Sequence, residues 1–100
     1  MRLTLQRGTD QVVRLPRVRT TASPVEYLNT ATVTGTLCDG TGTLIRRDNW
    51  TYVPSSDGVY EWVINGPTLM QPASTRYHLE VVGQQDDWNL RQVYDVTLRD

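Results

Sequence analysis

The chain contains no Phe and no Lys, and it has a single Cys and a single His. One thiol cannot form an internal disulfide framework, and one Cys with one His cannot supply the four ligands of a structural zinc site. Because the hydrophobic runs are short, we expect neither a membrane-spanning helix nor a cleaved secretory leader. Thr and Val are in excess, with fourteen and twelve copies against three Ala. β-Branched side chains favour pleated strands, so the composition predicts a mostly β, soluble protein.

The length of 100 residues predicts one domain, residues 1–100, around one core. The formal net charge is −1, so no overall basic field would draw the chain to nucleic acid. Residues 1–19 nevertheless contain five Arg and one Asp, whereas residues 80–100 contain five acidic residues and two Arg. We expect residues 1–20 to form an Arg-rich edge strand or arm that attracts an acidic surface. Ordinary solvated strand faces are the alternative.

Apolar and polar residues alternate repeatedly between turn signals. The alternation is clearest over residues 31–37, which lead into a hairpin turn at Asp39–Gly42. Residues 20–29 are predicted to be an irregular connection, residues 67–75 a loop or short helical turn, and residues 83–87 a break before the last strand.

Seven or eight short strands with one polar face each predict two antiparallel sheets packed face to face. The expected fold is therefore an all-β, immunoglobulin-like antiparallel β-sandwich, with a small closed β-barrel as the alternative. Five aromatic side chains share the inward parity of aliphatic neighbours and are predicted to lie in the core: Trp50, Tyr52, Tyr60, Trp62 and Tyr77.

Groups that could perform chemistry are few, and we expect no catalytic residue, cofactor or metal ion. His78 and Glu80 would make half a metal site at best, and a Cys38–His78 catalytic pair is disfavoured because only one His is present. Calcium binding by turn carboxylates and an OB-fold nucleic-acid binder are weaker alternatives. The carboxylates concerned are Asp39, Asp57, Asp86 and Asp87.

Three stretches resemble known sandwich domains. Residues 31–43, with the letters ATVTGTLCDGTGT, are similar to the first hairpin of immunoglobulin-like or carboxypeptidase-regulatory-like domains. SDGVY at residues 56–60 and RYHLEV at residues 76–81 resemble the strands that follow. In a chain of this length the combination, covering about residues 30–98, looks like small immunoglobulin-like virion proteins of tailed bacteriophages.

The resemblance implies a non-enzymatic virion protein, made in the host cytoplasm, that decorates the capsid or joins head to tail. Its partners would be other virion proteins and copies of itself, with no nucleic acid and no membrane. A stand-alone carbohydrate- or protein-binding sandwich, with Trp50 or Trp88 as an exposed platform, is the alternative. From charge alone, the residues expected to bind partners are Arg2, Arg7, Arg14, Arg17, Arg19, Asp86 and Asp87.

Overall fold

The computed structural model describes residues 2–15, 19, 27–72 and 74–100. Within them lie eight β-strands and one 3-10 helical turn at Gly66–Leu69. The strands are β1 (Arg2–Gln6), β2 (Gln11–Leu15), β3 (Thr32–Cys38), β4 (Leu44–Asn49), β5 (Thr51–Tyr52), β6 (Tyr60–Ile64), β7 (Ser74–Gln85) and β8 (Trp88–Arg99).

The strands form two sheets, which confirms the predicted all-β sandwich. A five-stranded sheet has the order β1-β8-β7-β3-β4, and a three-stranded sheet has the order β2-β6-β5. Consecutive strands therefore change sheets four times: from β1 to β2, from β2 to β3, from β4 to β5 and from β6 to β7. In this arrangement β2, β5 and β6 form one sheet, while β3, β7 and β8 lie in the other.

The core lies between the two sheets and matches the predicted parity. Trp62 is 3% exposed, and Trp50, Tyr60 and Tyr77 are also buried, while Tyr52 packs against the core from its margin. Trp50 and Trp62 make a tilted ring contact with centroids 6.1 Å apart. Gly35 lets these rings approach, because a Cβ there would lie 2.4 Å from Trp50 Nε1 and 2.8 Å from Trp62.

The first strand departs from the antiparallel expectation. β1 runs parallel to β8, with Arg2 opposite Asp95 and Gln6 opposite Arg99. Because β1 and β2 belong to different sheets, they cannot form a hairpin with each other. The link between them crosses from one sheet to the other, and Gly8 takes a positive φ of 69° in it.

The break predicted at residues 83–87 is wrong. β7 continues to Gln85, and only Asp86 and Asp87 form the turn to β8. Gly83 stays in the strand because the Trp88 ring covers it, and a Cβ at Gly83 would lie 2.9 Å from that ring. A two-residue turn then gives a continuous register, with Gln85 opposite Trp88.

Two predicted connecting segments, residues 67–75 and 20–29, can be compared with the structure to different extents. Where a loop or short helical turn was predicted at residues 67–75, the structure has a 3-10 turn at Gly66–Leu69, in which the Asn65 side chain accepts from Thr68 N, and β7 already begins at Ser74. Most of the irregular connection predicted at residues 20–29 lies outside the described residues. Within the described part of the chain, no helix has the length and apolar character needed to cross a membrane.

Candidate protein-interaction surfaces

The basic residues predicted to bind partners are distributed over several surfaces, because β1 and β2 lie in different sheets. Arg2 is exposed on the outer face of the five-stranded sheet, opposite Asp95. Arg7 lies where β1 ends and pairs with Asp100. Arg14 is on the outer face of the three-stranded sheet, with its Nε 3.0 Å from Glu61 Oε2.

Arg19, Asp86 and Asp87 are the remaining predicted residues that the structure describes. Arg19 is exposed and forms an isolated β-bridge with Tyr27, while Arg17 lies outside the described residues. Asp86 and Asp87 are exposed in the β7–β8 turn, where Asp86 takes a φ of 50°. The predicted arginines that the structure describes therefore do not form one basic patch. β1 and β2 are each the terminal strand of a sheet.

A compact group of four side chains occupies the centre of the outer face of the five-stranded sheet. Glu80 lies opposite Val93, and Val82 lies opposite Arg91. The two valines are 42% and 46% exposed and stand at the ends of one diagonal of this rectangle. On the other diagonal, Arg91 Nη2 lies 2.7 Å from Glu80 Oε2, and Arg91 Nε lies 3.0 Å from the same oxygen.

This quartet was not predicted, although a local signal for it exists. If the turn contains only Asp86 and Asp87, each step back along β7 is matched by one step forward along β8. The two residue numbers of every facing pair then have the same sum. That rule pairs Val82 with Arg91 and Glu80 with Val93. The prediction of a five-residue break at 83–87 concealed the register, because a glycine usually weakens a strand.

A second row crosses the same face one step away. Cys38 lies opposite His78, and His78 lies opposite Asp95, with His78 Nδ1 3.4 Å from Asp95 Oδ1. The fold thus brings together on neighbouring strands the Cys and His that the sequence separates by forty positions. His78 and Asp95 are exposed on a flat sheet surface, so this row has the geometry of cross-strand polar pairing.

The outer face of the three-stranded sheet also carries an apolar pair beside an ion pair. Val12 faces Val63 across β2 and β6, and both are more than half exposed. The next outward pair along the strands is Arg14 with Glu61. Each outer sheet face of the sandwich therefore combines exposed valines with one Arg–Glu pair.

An open groove of about 330 Å³ runs along the side of the sandwich between β4 and β6. Asp48 accepts there from Trp62 Nε1 at 3.0 Å and from Arg46 Nε at 2.8 Å. The hydrogen bond from Arg46 is the main reason why the pKa of the Asp48 carboxyl lies below its ordinary value, and the Trp62 bond adds to it. The lining residues are Asp48, Asn49, Thr51, Glu61, Trp62 and Val63.

The groove lies beside an incomplete strand edge. β5 has two residues, because Trp50, just before it, still pairs with the five-stranded sheet and donates from its backbone N to Val33 O at 2.7 Å. Val53 N donates to Val59 O at 2.9 Å, and antiparallel hydrogen bonding alternates along a strand. By this alternation the backbone N–H and C=O of Val63 point toward the β5 side of the sheet, at a level that the two residues of β5 do not reach.

The carboxylate of the turn residue Asp39 is held by local hydrogen bonds. Asp39 Oδ1 accepts from Thr41 Oγ1 at 2.7 Å, from Thr41 N at 2.9 Å and from Thr43 N at 3.0 Å. The Thr41 hydroxyl and these backbone amides hold the pKa of Asp39 below its ordinary value. Across residues 2–15, 19, 27–72 and 74–100, no three His, Cys, Asp or Glu side chains are grouped as metal ligands.

The aromatic platform considered for carbohydrate binding is wrong at Trp50, which is buried. Trp88 is half-buried over Gly83 at the end of the long hairpin. Compared with known protein families and with curated proteins, the sequence gives no match to either.

Proposed function

We propose that this chain is a non-enzymatic structural protein of a tailed-bacteriophage virion. It binds other virion proteins in multiple copies, either decorating and stabilising the capsid or joining head to tail. The observation that supports the proposal is the surface: two outer sheet faces that each combine exposed valines with an Arg–Glu pair. Such mixed, flat faces suit repeated protein–protein contacts of moderate strength.

The distribution of charge supports a multivalent mode of binding. Ion pairs exposed to solvent contribute only about 0–1 kcal/mol each, so one contact of this type is weak. Many copies on a particle convert these weak contacts into a stable layer through avidity. The protein would then be mostly monomeric in dilute solution and tightly held on the particle.

The sequence resemblance supports the same setting. Its first stretch coincides with β3, the Asp39 turn and the approach to β4, and its last stretch coincides with the first half of β7. These strands are neighbours in the five-stranded sheet. The middle stretch, residues 56–60, leads into β6 of the three-stranded sheet, so the resemblance includes parts of both sheets.

The test is incorporation into particles by a variant in which Arg14, Arg17 and Arg19 are all changed to Ser. The variant should fold as the wild type does, because Arg14 and Arg19 are exposed. Its occupancy on particles, measured by quantitative mass spectrometry and electron microscopy, should fall several-fold, and raised salt should reproduce the loss.

The matched control changes Arg46, Arg76 and Arg99 to Ser, which removes the same charge from exposed positions on other strands. This control should load at close to wild-type occupancy. Equal loading of both variants would show that the basic segment is a solvated face. Absence of the wild-type chain from purified particles would refute the virion assignment itself.

A further inference from the structure

We propose that the outer face of the five-stranded sheet is a self-complementary docking surface for a second copy of this chain. The contact is centred on Val82 and Val93, with Glu80 and Arg91 meeting their counterparts across a twofold axis. The proposal deepens the proposed function, because it names the surface through which copies meet.

The argument begins with the arrangement of the four side chains. Val82 and Val93 occupy one diagonal of a rectangle, and Glu80 and Arg91 occupy the other. When two copies face each other, a twofold axis in the plane of the sheet acts on this rectangle as a mirror line does. With the axis along the valine diagonal, each valine meets the same valine of the second copy. Each Glu80 then lies near Arg91 of the second copy.

The other diagonal does not satisfy the charges. An axis along it would place Glu80 on Glu80 and Arg91 on Arg91, so both contacts would be repulsive. The valine diagonal therefore selects one docking direction, in which the strands of the two sheets cross at a steep angle. The two internal Arg91–Glu80 pairs would merge there into a ring of four alternating charges around the apolar centre.

The side chains beside the quartet are compatible with close approach. Thr34 lies opposite Val82 and Thr36 lies opposite Glu80 on β3, and both are half-buried against the sheet. Thr34 therefore places a short β-branched side chain beside Val82. The longer Arg47 side chain lies in the same row as Glu80, on β4, where its Nε donates to Thr36 Oγ1 at 3.2 Å. The valines are thus accessible to a flat partner.

The size of the face predicts a weak dimer. Five strands at about 4.8 Å spacing give a face about 24 Å wide, which would bury less than the standard 800 Å² or so per partner. Association should therefore appear only as concentrations approach the millimolar range. On a particle, where copies are held close together, the same contact would be populated.

The first experiment uses charge reversal and mixing. Glu80→Arg makes the quartet all positive, and Arg91→Glu makes it all negative. Each variant alone should self-associate at least about tenfold more weakly than the wild type, measured by sedimentation equilibrium and concentration-dependent amide shifts. An equimolar mixture should recover association, because each Arg now faces a Glu of the other variant.

The second experiment uses the position of Val82 on the axis. In a Cys38→Ser background, Val82→Cys places a thiol against the same thiol of the other copy. It should form a disulfide-linked dimer at least about tenfold faster than Val63→Cys in that background. Val63 is the matched control, because it is 56% exposed on the other sheet.

Failure of the mixture to associate, or equal cross-linking rates for the two cysteine variants, would overturn the proposal and leave the face to a different protein. Particle occupancy of Glu80→Arg is scored separately. Its loss without any self-association in the wild type would mean that this face binds another virion protein. The wild type's presence on particles tests the virion assignment independently of the dimer.

Discussion

Trp62 connects both layers of the sandwich. Its ring packs against Trp50 in the core, while its indole N–H donates to Asp48 at the sheet margin at 3.0 Å. Trp50 differs from it, since its indole N–H is buried without a hydrogen-bond partner in the described structure. The polar end of Trp62 is therefore satisfied, which makes it the more strongly held of the two rings.

Truncating Trp62 should unfold much of the population. Trp62→Ala removes a side chain that is 3% exposed and leaves a cavity between the sheets, so the expected loss of unfolding free energy is about 3–5 kcal/mol. Thermal and urea denaturation measure this loss. The neighbouring Val63→Ala is the control and should cost well under 1 kcal/mol, because Val63 faces outward. An unchanged melting temperature for Trp62→Ala would contradict the burial of this ring.

Asp39 organises the hairpin between β3 and β4. One carboxylate oxygen accepts three hydrogen bonds from Thr41 and Thr43, and Gly42 N donates to Asp39 O at 3.1 Å. The turn therefore begins with a side chain that satisfies the backbone of the next few residues. Gly42, with a φ of 86°, supplies the left-handed conformation that completes the turn.

The Asp39 turn should make folding sensitive to acid. Its hydrogen bonds hold the folded-state pKa of Asp39 below the ordinary 3.8, so the unfolded chain takes up this proton first as pH falls. The stabilisation is complete above the ordinary pKa and is lost as pH falls through the lower folded value. In urea denaturation between neutral pH and about pH 2, the stability difference between wild type and Asp39→Asn should shrink.

Thr41→Val refines this test, because it keeps the carboxylate and removes the 2.7 Å hydroxyl donor. Its acid-induced loss of stability should be smaller than that of the wild type and should be complete at a higher pH, because the folded pKa of Asp39 then lies closer to its ordinary value. A stability difference between wild type and Asp39→Asn that stays constant across the pH range would show that the turn does not depend on the ionised carboxylate.

The long β7–β8 hairpin is the element that connects the fold to its proposed contacts. It supplies two central strands of the five-stranded sheet, and its outward residues form the valine and charge quartet. Its inward residues, among them Leu79, Val81 and Val96, are fully buried. The same two strands therefore hold one side of the core and present one outer surface.

At the level of the whole molecule, opposite charges are arranged in local pairs. Arg7 meets Asp100, Arg14 meets Glu61, and Arg91 meets Glu80. The charge asymmetry along the sequence is thereby partly neutralised in space, because β1 lies beside the acidic end of β8. Long-range attraction by a basic arm is weaker than the sequence alone suggests, and short-range complementarity on the sheet faces becomes more important.

Stability should depend on neither metal ions nor a disulfide. The three hydrogen bonds to Asp39 already occupy its inward oxygen, and Cys38 is a free thiol on a sheet face. Neither EDTA nor dithiothreitol should shift the thermal unfolding curve, which differential scanning calorimetry measures. A fall of several degrees with EDTA would instead indicate calcium bound by the turn carboxylates, and titration with calcium would then restore the curve.

The prediction of the fold from sequence succeeded where local alternation is strong. The inward parity of Val33 and Leu37, of Tyr60 and Trp62, and of Tyr77 and Leu79 is confirmed by burial. Side chains of a strand alternate with period two, so each of these strands records in its own residues which face meets the core. The Asp39–Gly42 turn was likewise predictable, because its hydrogen bonds are local.

The partners of each strand required the tertiary structure. Local alternation cannot show that β1 joins the five-stranded sheet beside β8 while β2 joins the other sheet, because pairing distant strands depends on how the whole core closes. It also cannot show that Trp88 covers Gly83 and keeps β7 intact. The sequence by itself determined the strand faces, the turns and the aromatic core. Only the closed sandwich decided which outward residues became neighbours, and therefore where a partner can bind.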